Sequence, residues 1–185
     1  MARSEKEKML AGELYNSSDP ELVAALLSAQ RLLAQFNATH PDAEDERRAL
    51  LTKLFASLGE ETIVKPAVRC DYGFNISIGR RSFVNYDCVL LDCNRIVIGD
   101  EVKLAPRVQI YTATHPLDPE QRRTGIESAL PVTIGDGVWL GGGAIVCPGV
   151  TIGKNTVVGA GSVVTRDLPE NVLAVGNPCR VVRSL

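Results

Sequence analysis

From Ile134 onward an aliphatic side chain returns every six residues: Ile134, Leu140, Val146, Ile152, Val158, Val164. Glycine follows directly at Gly135, Gly141, Gly153 and Gly159. A rougher version of the pattern runs through Ile78-Gly79, Val84 and Leu90, then through Ile98-Gly99, Leu104 and Ile110. A helix repeats about every 3.6 residues and a strand about every two, so a sustained beat of six matches neither as a lone element. It matches a solenoid whose unit is one short strand plus a turn. In that unit the aliphatic residue points inward and the glycine permits the tight bend. The repeat zone predicted on this basis runs from Ile76 to Thr165.

Composition agrees with such a coil. Only 5% of the 185 residues are aromatic while 45% are hydrophobic, so the interior is built from branched aliphatics and small side chains. Twenty basic against 22 acidic residues leave a net charge of −2 with no long basic run, which argues against a nucleic-acid partner. No apolar stretch reaches bilayer length, and the charged opening Met1–Lys8 reads as carrying no signal peptide. The five cysteines (Cys70, Cys88, Cys93, Cys147, Cys179) form no CxxC pair, so neither a zinc ribbon nor a thioredoxin-type site is indicated. They read as reduced, mostly buried thiols of a cytoplasmic protein.

Residues 1–60 read as a helical region and residues 61–185 as the β-solenoid. Glu5–Ala11 forms a short helix closed by Gly12. Asp19-Pro20-Glu21 supplies an N-cap, a first-turn proline and an acidic start. Leu22, Leu26, Ala29, Leu33 and Phe36 follow at helical spacing. A third helix carries Leu50, Leu51, Leu54 and Phe55 on one face, with Gly59 as its stop. At the solenoid corners, Pro148-Gly149 suits a type II turn. Asn94, Asp100, Asp136 and Asn155 are expected to take the left-handed backbone. Residues 112–131 break the beat with prolines and charges, as a loop ejected between two coils does, and insertions of this kind map to the working face. The tail from Leu168 reads as a turn and closing strand that caps the open end.

Glu5–Tyr15 (EKEKMLAGELY), Cys70–Ile76 (CDYGFNI), Tyr111–Pro116 (YTATHP), Pro131–Gly135 (PVTIG), Val138-Trp139 and Gly176–Arg180 (GNPCR) together carry a resemblance that spans essentially the whole chain. On these stretches the chain resembles the maltose and galactoside O-acetyltransferases among the hexapeptide-repeat acyltransferases. The resemblance implies a mostly β fold, a left-handed parallel β-helix assembled as a homotrimer. The implied reaction moves an acetyl group from acetyl-CoA to a sugar hydroxyl, with no metal.

A hydroxyl needs a base to take its proton during attack. By resemblance that base is His115, on the ejected loop, while His40 beside Pro41 reads as structural or solvent-facing. The resemblance further implies that Asn85 lies near the reacting thioester and that Asp71 and Asp92 meet sugar hydroxyls. For the two aspartates the competing reading is turn formation at coil corners. Glu127 stands where the galactoside branch presents an apolar residue, and Ser17 where it presents an acidic sugar contact; both departures weaken a claim for galactoside preference. Gly142 is expected to offer its main-chain N–H to the oxyanion, because three glycines in a row exceed what the repeat requires. Trp139 either shields the thioester or contacts a second copy. Ala160 and its flanking glycines form a smooth strip for pantetheine, and Thr165, Arg166, Arg180 and Arg183 are expected to converge on the adenosine phosphates.

Rival readings are a serine, galactoside or amino-sugar acyltransferase on the same scaffold, and a scaffold without catalysis. A zinc carbonic anhydrase is excluded because it needs three histidine ligands and the chain has two histidines.

Overall fold

A computed structural model of the protein describes residues 3–185. The first two residues of the helical region expected over 1–60, which also open the charged start, lie outside the described residues.

Helix α1 (Glu5–Ala11) begins on a capping box between Ser4 and Glu7 and ends at Gly12, whose φ of 75° is the left-handed cap that glycine adopts without a Cβ penalty. Helix α2 (Pro20–Asn37) starts where the Asp19 side chain accepts the Glu21 N–H. It buries Leu22, Ala29, Leu33 and Phe36, whereas Leu26 from the expected stripe faces solvent. Helix α3 (Glu44–Leu54) buries Leu50, Leu51 and Leu54. It does not run to Gly59. Phe55 is already extended, and Ser57-Leu58 pair in parallel with Ser77-Ile78. Leu58, Val64 and Cys70 form an additional first coil on the same six-residue beat, in register with Ile78, Val84 and Leu90. A thiol in the third inward position hides that coil from an aliphatic count.

Each coil contributes one strand to each of three parallel sheets. The first sheet holds Ser57–Leu58, Ile76–Ile78, Ile96–Ile98, Val132–Ile134 and Thr151–Ile152. The second holds Ile63–Val64, Phe83–Val84, Lys103–Leu104, Trp139–Leu140, Val157–Val158 and Val172–Val175, with Arg180–Ser184 added antiparallel at its end. The third holds Val68–Cys70, Cys88–Leu91, Gln109–Tyr111, Ile145–Val146 and Val163–Val164. The repeat residues stack in register as Ile78-Ile98-Ile134-Ile152, Val84-Leu104-Leu140-Val158 and Leu90-Ile110-Val146-Val164. None is more than 2% exposed, so these columns are the core. Burying each such side chain is worth about 1.5–3 kcal/mol.

The glycines after the inward residues do not make the bend. Gly59, Gly79, Gly99, Gly135 and Gly153 line one corner without positive φ. A Cβ on Gly99 would stand 2.3 Å from Asp136 Oδ1, and one on Gly135 2.7 Å from Lys154 N. They are glycine because the next coil passes too close for a side chain. The left-handed residues come two positions later, at Glu61, Arg81, Glu101, Gly137, Asn155 and Asn171. Of the four corner residues expected to be left-handed, Asn155 is, and Asn94, Asp100 and Asp136 are not. Asp100 and Asp136 instead bind coil to coil: Asp100 Oδ1 accepts the Arg80 N–H at 2.7 Å, and Asp136 Oδ1 accepts the Asp100 N–H at 2.8 Å.

The ejected segment is ordered. Strands Ala113–Thr114 and Ile126–Ala129 pair antiparallel, joined through the short helix α4 (Pro119–Arg123). The segment leaves and rejoins the solenoid at one point, where the Leu130 N–H donates to Thr112 O at 2.8 Å. Tyr15-Asn16 pair with the other edge of Ile126–Ala129. Beneath this small sheet lies a second core of Met9, Tyr15, Leu22, Tyr72, Cys93 and Ala129. Buried Asn94 fastens it: its Nδ2 donates to Met9 O and Ala129 O, and its backbone N–H donates to Thr112 Oγ1. No helix among the described residues is long and apolar enough to cross a membrane.

Candidate active site

His115 directly follows the strand Ala113–Thr114 and is exposed. The register pairs Ala113 with Ala129 and Thr114 with Ser128. Continued by one residue, it sets His115 across from Glu127, which on its other side pairs with Tyr15. Directly opposed residues project from the same face of a sheet. Glu127 is fixed there by two hydroxyls, Tyr15 Oη donating to Oε2 at 3.0 Å and Ser17 Oγ donating to Oε1 at 3.1 Å. Cys93, in the core under this sheet, donates its thiol to Asp71 Oδ2 at 3.4 Å. Burial pushes the Asp71 carboxyl above the ordinary carboxylate range; the Cys93 hydrogen bond opposes the rise and the Glu127 charge adds to it. Ser17, Asp71, Glu127 and His115 therefore gather around the ejected arm. Tyr15 and Cys93, which sequence reasoning did not single out, complete the corner. Tyr15 closes the quoted AGELY motif, which was the available signal for it.

Asp92 does not join them as a sugar contact. It is 0% exposed, and its carboxylate accepts the backbone N–H groups of Asp71 (3.0 Å), Tyr72 (2.8 Å) and Asn75 (3.3 Å). No lone pair faces solvent, so Asp92 builds the turn that presents Asp71. Burial outweighs these donors and pushes its carboxyl up to about 7. His40 is exposed beside Asp42, apart from the corner.

A second group of expected residues lies at the corner between the second and third sheets. Register stacks Pro106, Gly142 and Ala160 on successive coils. Each of the three glycines has its own reason. A Cβ on Gly141 would stand 2.5 Å from Ala160 N, and Gly143 has φ 67°. Gly142 has room, its nearest neighbour to a Cβ being Pro106 O at 3.5 Å. Its N–H meets no protein acceptor among the described residues, and neither does that of Ala160. These are donors free for a ligand. Beside them, on the outer face of the second sheet, Asn85, Phe83, Lys103 and half-exposed Trp139 line a cleft of about 690 Å³.

Arg180 and Arg183 close that same sheet. An irregularity skips Val182, so Arg180 pairs with Val175 and Arg183 with Leu173, and both arginines project to one side. Thr165 and Arg166 belong to the last coil too, but they follow Val163–Val164 at the far edge of the third sheet. The Cys179 N–H donates to Val163 O at 2.8 Å, which seats the residue before Arg180 against the strand that leads to Thr165 and Arg166. The ejected arm stands at that same far edge. Six extended residues separate Gly142 from the Pro148 corner, roughly 20 Å at about 3.3 Å per residue.

Known proteins carry the same architecture. Residues 8–59 match the maltose acetyltransferase hexapeptide capping motif, and residues 131–166 the bacterial transferase hexapeptide (six repeats). The fold and the repeat define the class: a left-handed parallel β-helix of the hexapeptide-repeat acyltransferases. Nodulation protein L of Rhizobium meliloti strain 1021 is 51% identical over 181 residues, covering 98% of this chain and 99% of the relative. A crystal structure of a maltose O-acetyltransferase from Clostridium difficile 630 shares 52% identity at a TM-score of 0.98, covering 100% of this chain and 99% of that one. A galactoside acetyltransferase in complex with coenzyme A shares 40% identity at a TM-score of 0.96, covering 99% and 92%. The chain belongs to the maltose and galactoside O-acetyltransferase family.

Proposed function

We propose that the protein transfers the acetyl group of acetyl-CoA directly to a hydroxyl of a sugar such as maltose or glucose. His115 takes the hydroxyl proton as the oxygen attacks the thioester carbonyl. The Gly142 N–H donates to the oxyanion of the tetrahedral intermediate. Collapse breaks the C–S bond, and the leaving thiolate receives the proton from the imidazolium. Ser17, Asp71 and Glu127 hold the acceptor, since carboxylates accept from the hydroxyl groups a sugar offers. Asn85, Trp139, Gly142 and Ala160 receive the pantetheine arm. Thr165, Arg166, Arg180 and Arg183 meet the phosphates of CoA.

The observation that carries the reading is the exposed His115 directly after the strand Ala113–Thr114, on the arm whose partner strand carries the Ser17-bound Glu127. The relatives point the same way: one is a maltose O-acetyltransferase, and another was solved with coenzyme A. A homotrimer, the assembly that the family resemblance implies, would bring the two half-sites together. The imidazole arm and the Gly142 corner flank the third sheet on opposite edges, so a neighbouring copy supplies what each lacks. Residues 3–54 then cap the start of the β-helix, whose first coil opens at Ser57–Leu58. Five unpaired cysteines suit the reducing cytoplasm.

The test is CoA release from acetyl-CoA over a panel of maltose, glucose, galactosides, serine and amino sugars. His115→Ala is expected to lower turnover by roughly 10²–10⁴-fold with CoA affinity little changed. Near-normal turnover in that variant would refute the mechanism. Transfer to serine alone would reassign the acceptor.

A further inference from the structure

We infer that Glu127 is the positioning residue for His115, holding the imidazole in the tautomer and orientation that general-base catalysis requires. The inference rests on the assignment of His115 as base.

A catalytic imidazole needs a third group to orient it, because one ring nitrogen must be bare and aimed at the acceptor hydroxyl. His115 makes no hydrogen bond through its ring to any described residue. Its own strand offers no carboxylate: the residues around it are Ala113, Thr114, Pro116 and Leu117. The strand beside it does. The register ends at Thr114 opposite Ser128, and one further step along it sets Glu127 across from His115, the spacing at which opposed Cβ atoms stand about 4.5–5.5 Å apart and side chains share one face. The Tyr15–Glu127 contact at 3.0 Å, made across the next pair in the same row, shows the face on which this carboxylate projects.

Glu127 is also held in the way an orienting group must be. Tyr15 and Ser17 each donate to a different carboxylate oxygen, so neither rotation nor withdrawal is free. A carboxylate has about four acceptor sites. Two are occupied by these hydroxyls, which leaves one for the imidazole N–H and one for an acceptor hydroxyl. Ser17 and Tyr15 gain a definite role in this arrangement: they lock the residue that locks the base. The charge on Glu127 also favours the imidazolium formed as the proton transfers.

The decisive experiment reads the ring nitrogens directly. The chain has two histidines, so long-range ¹H–¹⁵N correlation on the full-length protein gives two resolvable rings, with exposed His40 as internal reference. In the wild-type protein at alkaline pH, His115 is expected to show one bare and one protonated nitrogen. In Glu127→Gln, which keeps the side-chain shape, the two shifts are expected to average toward a tautomer mixture while His40 stays unchanged. Identical His115 shifts in both proteins would overturn the inference. Kinetics supply the second arm. Glu127→Gln is expected to lower kcat by up to about 10⁴-fold with the KM for acetyl-CoA unchanged, and Glu127→Asp to restore part of it. A rise in acceptor KM alone, with kcat intact, would make Glu127 a sugar contact only and would also overturn the inference. If no acceptor in the panel is acetylated, the functional reading fails, and the nitrogen shifts still decide this one.

Discussion

Replacing Gly142 by proline separates the chemistry of that corner from its architecture. The Gly142 N–H donates to nothing in the protein, so removing it breaks no internal hydrogen bond. Room exists for the ring, since a Cβ there meets only Pro106 O at 3.5 Å. One coil below, the equivalent position is already a proline, Pro106, so this corner backbone accommodates the pyrrolidine φ. The folded state should therefore tolerate the change, with Tm lowered by less than about 4 °C, which for a chain of this size corresponds to about 1 kcal/mol. Turnover should fall by about 10²–10³-fold, the usual cost of losing one oxyanion donor. Gly141→Ala is the matched control. Its Cβ would lie 2.5 Å from Ala160 N, so the coils must part, and overpacking of this kind costs about 1–3 kcal/mol. The control should melt lower than Gly142→Pro yet lose less activity at a temperature where both are folded. A folded Gly142→Pro enzyme with wild-type turnover would refute the oxyanion assignment. A Gly142→Pro chain that fails to fold would refute the equivalence of the two corners.

Three further outcomes are expected. Leu140→Ala empties a fully buried site in the middle of an inward column and should cost about 2–5 kcal/mol, seen as a lowered Tm by calorimetry; a shift within error would mean the column repacks. Because Asp92 titrates near 7 when folded and near 4 when unfolded, its contribution to stability is present below about pH 4 and is lost as pH rises through 7. Melts between pH 5 and 8 should therefore fall more steeply for wild type than for Asp92→Asn, and parallel slopes would contradict this. Arg180→Ala should raise the KM for acetyl-CoA several-fold and leave the acceptor KM alone; the reverse pattern would move the phosphates elsewhere.

The inward columns were legible in the sequence because a solenoid is held by contacts between neighbouring coils, and each coil repeats the same requirement. Ile134, Leu140, Val146 and their successors announce three faces before any coordinate is known. The arm at 112–131 was legible for the complementary reason: it is where the requirement lapses. The first coil was hidden because Cys70 fills an inward site that elsewhere is aliphatic, and Gly59 served as a stacking corner where it read as a helix stop. The corner glycines were placed correctly but misunderstood, since coil spacing, a property of the stack, makes them glycine.

The site itself divides along the same line. His115, Gly142 and the arginines could be named from motifs, because each motif is local. Whether Asp92 met a sugar or a backbone turn depended on where Asp71, Tyr72 and Asn75 came to rest one coil away. The bond from Ser17 to Glu127 joins residues 110 apart, through a strand from the N-terminal region that no repeat encodes. Sequence by itself determined the coil and the presence of an imidazole on an arm. Tertiary structure alone decided which residues gather around that arm and that the free N–H of Gly142 stands at the opposite edge of a sheet, because such contacts depend on the closing of loops rather than on the period of the chain.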